Sequence, residues 1–374
     1  MNFNLTEEQQ LIQDSVARFV SDNYDLEARQ ALATSTLGYS TEHWSSMAEL
    51  GWLGLTIPEA DGGFGGNQID TMLIMEQFGK GLVVEPYFAN TVLSARALAL
   101  GGTTEQRANV LPKMIEGSLQ VAFAYAEEQA RFDLHDVVTH AREDGGDYVL
   151  NGHKSMVINA ASADQLIVSA RTSGGQSDQS GISLFLVDAN ADGVKCDHFP
   201  TVDGLRASEI SFQDVRVGSD ALIGELGEGF GIISQVAIDG ILGLCAEAVG
   251  AMEILYKDTV QYTQEREQFD HPLSDFQVLQ HRMVDMFMEY EQAKSLLYRA
   301  TLEVVQDGAG AWRTVHALKH FVGKTGIMIG ENAVQVHGGM GMTEELRIGH
   351  YFKRLLVIDA QFGNSDYHLT QFAA

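Results

Sequence analysis

The segment Gln335-Val336-His337-Gly338-Gly339-Met340-Gly341 puts three glycines in four residues directly after a helical pattern. Such a run is either a sharp turn between helices or a place where backbone N–H groups meet a phosphate, an approach that only a residue without Cβ permits. Taken alone, the turn is the better reading. Upstream, Arg266-Glu267-Gln268-Phe269 and Phe276-Gln277 offer a guanidinium, an aromatic ring and an amide. A guanidinium suits phosphate through paired charge-assisted hydrogen bonds. Singly, Arg266 reads as a surface ion pair, Phe269 as core and Gln277 as a solvated helix residue. For proton transfer the candidate is Glu247, an acid among small apolar residues in Leu244-Cys245-Ala246-Glu247-Ala248-Val249-Gly250. Burial there would raise its pKa. The competing reading is a helix–helix hydrogen bond or a pair with Arg282 or Lys294. Cys196 and Cys245 lie far apart with no CxxC spacing, so neither a disulfide framework nor a metal site is expected.

These residues need a scaffold, and 374 residues suffice for two or three domains. The chain is 45% hydrophobic and 20% charged, the composition of a globular protein. No apolar run is expected to span a membrane, and Met1 is followed by polar, acidic residues rather than a signal peptide; a cytoplasmic location is expected. A net charge of -27 disfavours nucleic acid and anionic membranes as partners. Thr6-Glu7-Glu8-Gln9 reads as a capping box opening a helix. Helical patterns recur near 41–50, 69–78, 89–100 and 105–115, around the glycine-rich connection 51–66. From about Gln120 the texture is short and β-rich, with Asn151-Gly152 as a hairpin signal. After Gly229 four long helices are expected, over 230–263, 275–306, 311–336 and 343–372. The fold class is therefore α+β, mostly α: an N-terminal helical domain (1–118), a β-barrel domain (119–228) and a C-terminal four-helix bundle (229–374).

That order, with several local motifs, resembles the acyl-CoA dehydrogenase family along nearly the whole chain. The motifs are GWLGLTIPEADGGFGG (51–66), Gly204-Leu205-Arg206-Ala207-Ser208 followed by ISFQDVRV, the RxxF and FQ segments, and QVHGGMG. The resemblance implies FAD between the β domain and the bundle, its ADP half reaching a neighbouring subunit. Arg266, Phe269, Gln277, Gln335, Gly338 and Gly339 would then meet the neighbour's cofactor, while Met156 and Ile158 stand where the family places a Trp and a Thr against the isoalloxazine. It also implies an acyl-CoA substrate, α,β-dehydrogenation and electron-transfer flavoprotein as acceptor.

The chain departs from the family where the chemistry sits. The usual base is a glutamate, and Gly363 occupies its place; the alternative position, on the first bundle helix, is Gly240, followed by Ile241. A positioned general base is worth about 10²–10⁴ in rate. Glu247 lies two turns past Gly240, about 10 Å along the helix, and Asp366 and His368 follow Gly363 in what reads as a polar last turn. The family's Thr-Glu-Pro becomes Ala126-Glu127-Glu128. The pattern is most similar to the small subunit of heteromeric members of the pimeloyl-CoA and steroid side-chain type. It implies an α2β2 pairing in which this chain completes a catalytic paralogue's FAD site. A homotetrameric dehydrogenase using Glu247, a flavin oxidase or monooxygenase on the same fold, and a non-catalytic scaffold remain as alternatives.

Overall fold

A computed structural model describes residues 5–374. Along the chain run α1 (Glu7–Asn23), α2 (Leu26–Thr34), α3 (Thr41–Glu49), α4 (Gln68–Gly81), a π-helical stretch Phe88–Ala95, α5 (Arg96–Gly101) and α6 (Thr104–Ile115). Eight strands follow: β1 (Val121–Ala124), β2 (His140–Asp144), β3 (Asp147–Ile158), β4 (Gln165–Arg171), β5 (Ile182–Asp188), β6 (Val194–Pro200), β7 (Arg206–Val217) and β8 (Leu222–Ile223). Then come α7 (Gly229–Glu265), a ribbon of β9 (Glu267–Gln268) and β10 (His271–Pro272), α8 (Gln277–Asp307), α9 (Trp312–His337), α10 (Arg347–Ala360) and α11 (Ser365–Ala373). The capping box at Thr6 forms as expected, Thr6 accepting from the Gln9 N–H and Gln9 reaching back to the Thr6 N–H.

The chain folds as two compact units, each assembled from segments distant in sequence. One comprises residues 1–32, 68–83 and 241–374. Within it α4 meets α7 through two glycines. A Cβ on Gly79 would lie 1.9 Å from the Glu247 carbonyl oxygen, and one on Gly250 1.9 Å from that of Glu76. Only glycine lets the two backbones come this close. The other unit comprises residues 33–67 and 84–240. Its sheet pairs in the order β6-β7-β3-β2-β4-β5-β8, with β1 parallel beside β4. Leu150, Val168, Phe185, Phe212 and Val215 are buried in its core.

Three expectations need correction. Asn151-Gly152 is not a hairpin turn, since both residues lie inside β3 and the turn falls at Gly145-Gly146. Asn151 serves a bulge in the neighbouring strand instead: its side chain donates to Asp214 Oδ1 at 3.1 Å and accepts from the Asp214 N–H at 2.9 Å. The fourth bundle helix is broken, α10 and α11 being separated by a corner at Phe362-Gly363. Finally, α7 is long and apolar enough to cross a membrane by composition, but 83% of its apolar window is buried within the protein, as in a core helix.

The second unit also carries an ion pair that the sequence did not reveal. Lys154 on β3 is fully buried and donates to Glu127 at 2.6 Å and to the Ser169 hydroxyl at 2.8 Å. Glu127 also accepts from the backbone N–H groups of Val138 (2.8 Å) and Thr139 (3.1 Å). Burial pushes the Lys154 ammonium down to about 8 despite the Glu127 charge. Burial alone would raise Glu127, but Lys154 and the other donors outweigh it and hold the carboxyl below its ordinary range. Glu127 is therefore a structural anchor in the altered Ala126-Glu127-Glu128 segment. Removing one partner of a buried pair strands the other charge, so Lys154→Ala is expected to cost about 3–5 kcal/mol. A urea denaturation midpoint checks this; an unchanged midpoint would mean that the pair contributes nothing.

Candidate functional site

The expected base positions hold no base. Gly240 and Ile241 are buried in mid-α7. Gly363 sits at the α10–α11 corner with φ +109°, and a Cβ there would lie 2.5 Å from Tyr367 Cδ1 and 2.8 Å from His368 Nε2. A side chain is excluded by both the backbone conformation and the space. The corner is fastened from below. Lys319 on α9, fully buried, donates to the carbonyls of Asp359 (2.8 Å) and Gly363 (2.7 Å). Burial pushes its ammonium down to about 8. Asp359 Oδ1 accepts from the Ser365 N–H at 3.0 Å, and the Asn364 side chain caps α11.

His368 completes the corner. Its Nε2 is 3.0 Å from the Phe362 carbonyl and its Nδ1 is 2.8 Å from His316 Nδ1. A carbonyl only accepts, so His368 carries its proton on Nε2, and its Nδ1 accepts from His316. Burial first, and then the Lys319 charge, push His368 down to about 3. It is a neutral brace. Asp366 is exposed in the first turn of α11.

Glu247 is buried and paired, but with neither residue expected. Arg354 on α10 donates through Nε to Oε1 at 2.6 Å and through Nη2 to Oε2 at 2.7 Å. Arg282 instead donates to Asn332 at 2.8 Å, and Lys294 pairs with Glu76 at 3.3 Å. A forked pair commits both carboxylate oxygens and fixes their plane. That geometry joins α7 to α10 and gives Glu247 a packing role.

The glycine loop is different. Gln335, Gly338 and Gly339 line a groove of about 630 Å³ together with Arg282, Asn332 and Phe352. This lies within the size range of ligand pockets. A Cβ on Gly338 or Gly339 would meet nothing within 4 Å in this chain. Gly338 is nevertheless needed for the φ of +62° that ends α9, whereas Gly339 has no internal reason to be small. Arg282 was not foreseen here; its guanidinium faces the groove from α8. Arg266, Phe269 and Gln277 lie outside the groove. Arg266 and Gln277 are exposed, and Phe269, 85% exposed, occupies the left-handed tip of the β9–β10 ribbon with Asp270.

In the other unit, Ile158 is half-buried in β3, paired with Ala207. Met156 is 51% exposed and left-handed, with φ +53°. That conformation costs a bulky residue about 1–2 kcal/mol. Neither side chain carries the hydroxyl expected from the family pattern.

Sequence-family profiles described as acyl-CoA dehydrogenase N-terminal, middle and C-terminal domains match residues 6–118, 122–215 and 227–374. The chain is 30% identical to the 3-(aryl)acrylate reductase of Clostridium sporogenes over 96% of each chain. Its structure is similar to butyryl-CoA dehydrogenase from Megasphaera elsdenii, with a TM-score of 0.91 at 27% identity, covering 100% of this chain and 99% of that one. It is also similar to a Tcur3481-Tcur3483 steroid ACAD variant, with a TM-score of 0.88 at 26% identity over 98% and 97% of the two chains.

The His368 brace makes a pH prediction. Its folded pKa lies below the unfolded value, so below about pH 6.5 the unfolded chain binds the extra proton. Stability from this group is full above pH 6.5 and falls toward pH 3, by at most about 1.4 kcal/mol per pH unit. His368→Gln can keep a donor and an acceptor, and should flatten the fall of the urea midpoint between pH 7 and 5. An identical fall in both proteins would show that His368 does not contribute to it.

Proposed function

The chain belongs to the acyl-CoA dehydrogenase family of FAD-dependent oxidoreductases, and we propose that it works as one subunit of a heteromeric acyl-CoA dehydrogenase. A paralogous chain would supply the catalytic carboxylate, in an α2β2 assembly that passes electrons to electron-transfer flavoprotein. The observation that carries this reading is the contrast between two glycine sites. Gly363 is closed to any side chain by both conformation and space, whereas Gly339 has neither restriction and, with Gly338 beside it at φ +62°, is open to the outside. A chain that has lost its base yet keeps an open phosphate-binding loop is suited to completing another subunit's site. The relative named as the Tcur3481-Tcur3483 steroid ACAD supports pairing as a mode for this fold.

FAD, when bound, supplies the acceptor for a hydride from the β-carbon of an acyl thioester. The work of this chain lies at the other end of the cofactor. Arg266 and Arg282 offer guanidinium donors to a pyrophosphate, Gln277 and Gln335 offer amides, and Phe269 offers a ring face. Gly339 lets the backbone come close, while the Gly338 N–H already donates to the Gln335 carbonyl. With no carboxylate at position 240 or 363 and Glu247 held by Arg354, this chain alone should turn over acyl-CoA about 10²–10⁴-fold more slowly than a chain with a placed base.

Co-expression with a base-containing paralogue from the same genome tests the proposal. The expected result is a stable complex whose FAD content falls at least about tenfold in affinity when Gly339→Val blocks the loop, while the melting curve of the isolated variant is unchanged. Gly363→Glu should not create activity in the isolated chain. Absence of any complex, or full acyl-CoA oxidation by the chain alone, would overturn the reading.

A further inference from the structure

The strand that carries Met156 is bulged. Lys154 pairs with Ile210 and Val157 with Ser208, so Ser155 and Met156 together face the single residue Glu209 of β7. A bulge leaves ladder groups without their cross-strand partners, and here both N–H groups of the bulge find acceptors elsewhere. The Ser155 N–H donates to the Ala126 carbonyl at 2.9 Å. The Met156 N–H donates to Glu209 Oε1 at 3.3 Å. Glu209 Oε2 is 2.7 Å from His153 Nε2, and His153 Nδ1 is 3.2 Å from the Ser211 hydroxyl. The carboxylate thus fills the gap in the ladder with its side chain and is itself steadied by the imidazole. An exposed methionine on a left-handed backbone, held by a dedicated carboxylate, is a costly arrangement for a surface with no use. Left-handed bulky residues and bulges both concentrate beside functional sites.

We propose that Glu209 is a positioning residue, one that holds the bulge so that the Met156 thioether is presented to a planar aromatic ring, the isoalloxazine of FAD. This rests on the cofactor of the family and not on pairing with a paralogue. It makes the flavin side of this chain a rebuilt surface rather than a lost one. A polarizable thioether packs favourably against an aromatic ring, and it takes the place of the ring and hydroxyl that the family pattern would put at positions 156 and 158. The charge state of Glu209 agrees. Burial alone would raise its carboxyl, but the Ser155 and His153 side chains and the Met156 N–H outweigh that and hold it below its ordinary range. Glu209 is therefore an ionised acceptor at neutral pH.

The test uses the full chain with methyl-labelled methionine, its Met156 signal identified by its loss in Met156→Leu. Free FAD is then titrated in. The expected result is an upfield movement of the Met156 methyl signal as FAD is added. In Glu209→Ala that signal should already be displaced before FAD is added, and FAD should bind about tenfold more weakly. Glu209→Gln, which keeps an acceptor for the Met156 N–H, should restore most of both. A melting temperature within about 2 °C of the parent shows that the variants are folded. Wild-type behaviour of Met156 and of FAD binding in Glu209→Ala would overturn the proposal. So would FAD that leaves the Met156 signal unmoved in the parent chain, an outcome that does not touch the pairing reading, which is judged by complex formation. Failure to form a complex, with a Glu209-dependent FAD response, would remove the pairing and leave this inference standing.

Discussion

The buried ammonium of Lys319 sets the terms for the end of the chain. A lysine with no exposure must satisfy its donors internally or lose its charge. Lys319 does so on the carbonyls of Asp359 and Gly363, the last helical residue region of α10 and the corner that follows. Helix ends leave carbonyls unpaired, and this cation supplies their donor from a neighbouring helix. The helix stops, the chain turns through Phe362 and Gly363, and α11 starts on the Asn364 cap. His368 then returns to the Phe362 carbonyl. Each contact fixes the next, and together they leave no room for a side chain at Gly363.

Glycine therefore does three different jobs in one protein. At Gly79 and Gly250 it allows two helix backbones to touch. At Gly363 it permits a left-handed corner with crowded neighbours. At Gly338 it permits the left-handed turn that ends α9, with φ +62°, and at Gly339 nothing in the chain requires it to be small. The first two are explained by packing within the fold. Gly339 alone is left unexplained by packing or by backbone conformation, which is why it carries more functional weight than Gly338 or Gly363.

Local signals were legible in the sequence, and distant partners were not. The Thr6 capping box and the long apolar periods of α7, α8 and α9 depend on neighbours a few residues away, and they formed as read. Asn151-Gly152 has the local chemistry of a turn, but the bulge at Asp214, more than 60 positions later, claimed the asparagine side chain. The α10–α11 break depends on Lys319, some 40 positions earlier. Glu247 was readable as a buried acid because its small neighbours are adjacent, whereas its partner Arg354 lies 107 residues away with other cations nearer in sequence. Arg282 came to the groove because α8 and α9 run side by side, a fact that no spacing within either helix contains.

Backbone strain alone would not have located the functional surfaces. Left-handed conformations occur at Met156, Phe269 and Phe362, in the bulge of β3, at the ribbon tip and at the α10–α11 corner, but also at Leu82, Arg131 and Asp214. What separates these cases is the partner each one has. Asp214 is strained within a bulge that Asn151 completes, and both side chains are used up in doing so. Phe362 is buried, and its carbonyl is held by His368. Met156 and Phe269 are strained and yet expose large apolar side chains, 51% and 85% open respectively. A fold gains nothing internally from holding an apolar side chain out into water at a conformational cost. The gain must come from a surface that meets each of them from outside its own unit's core.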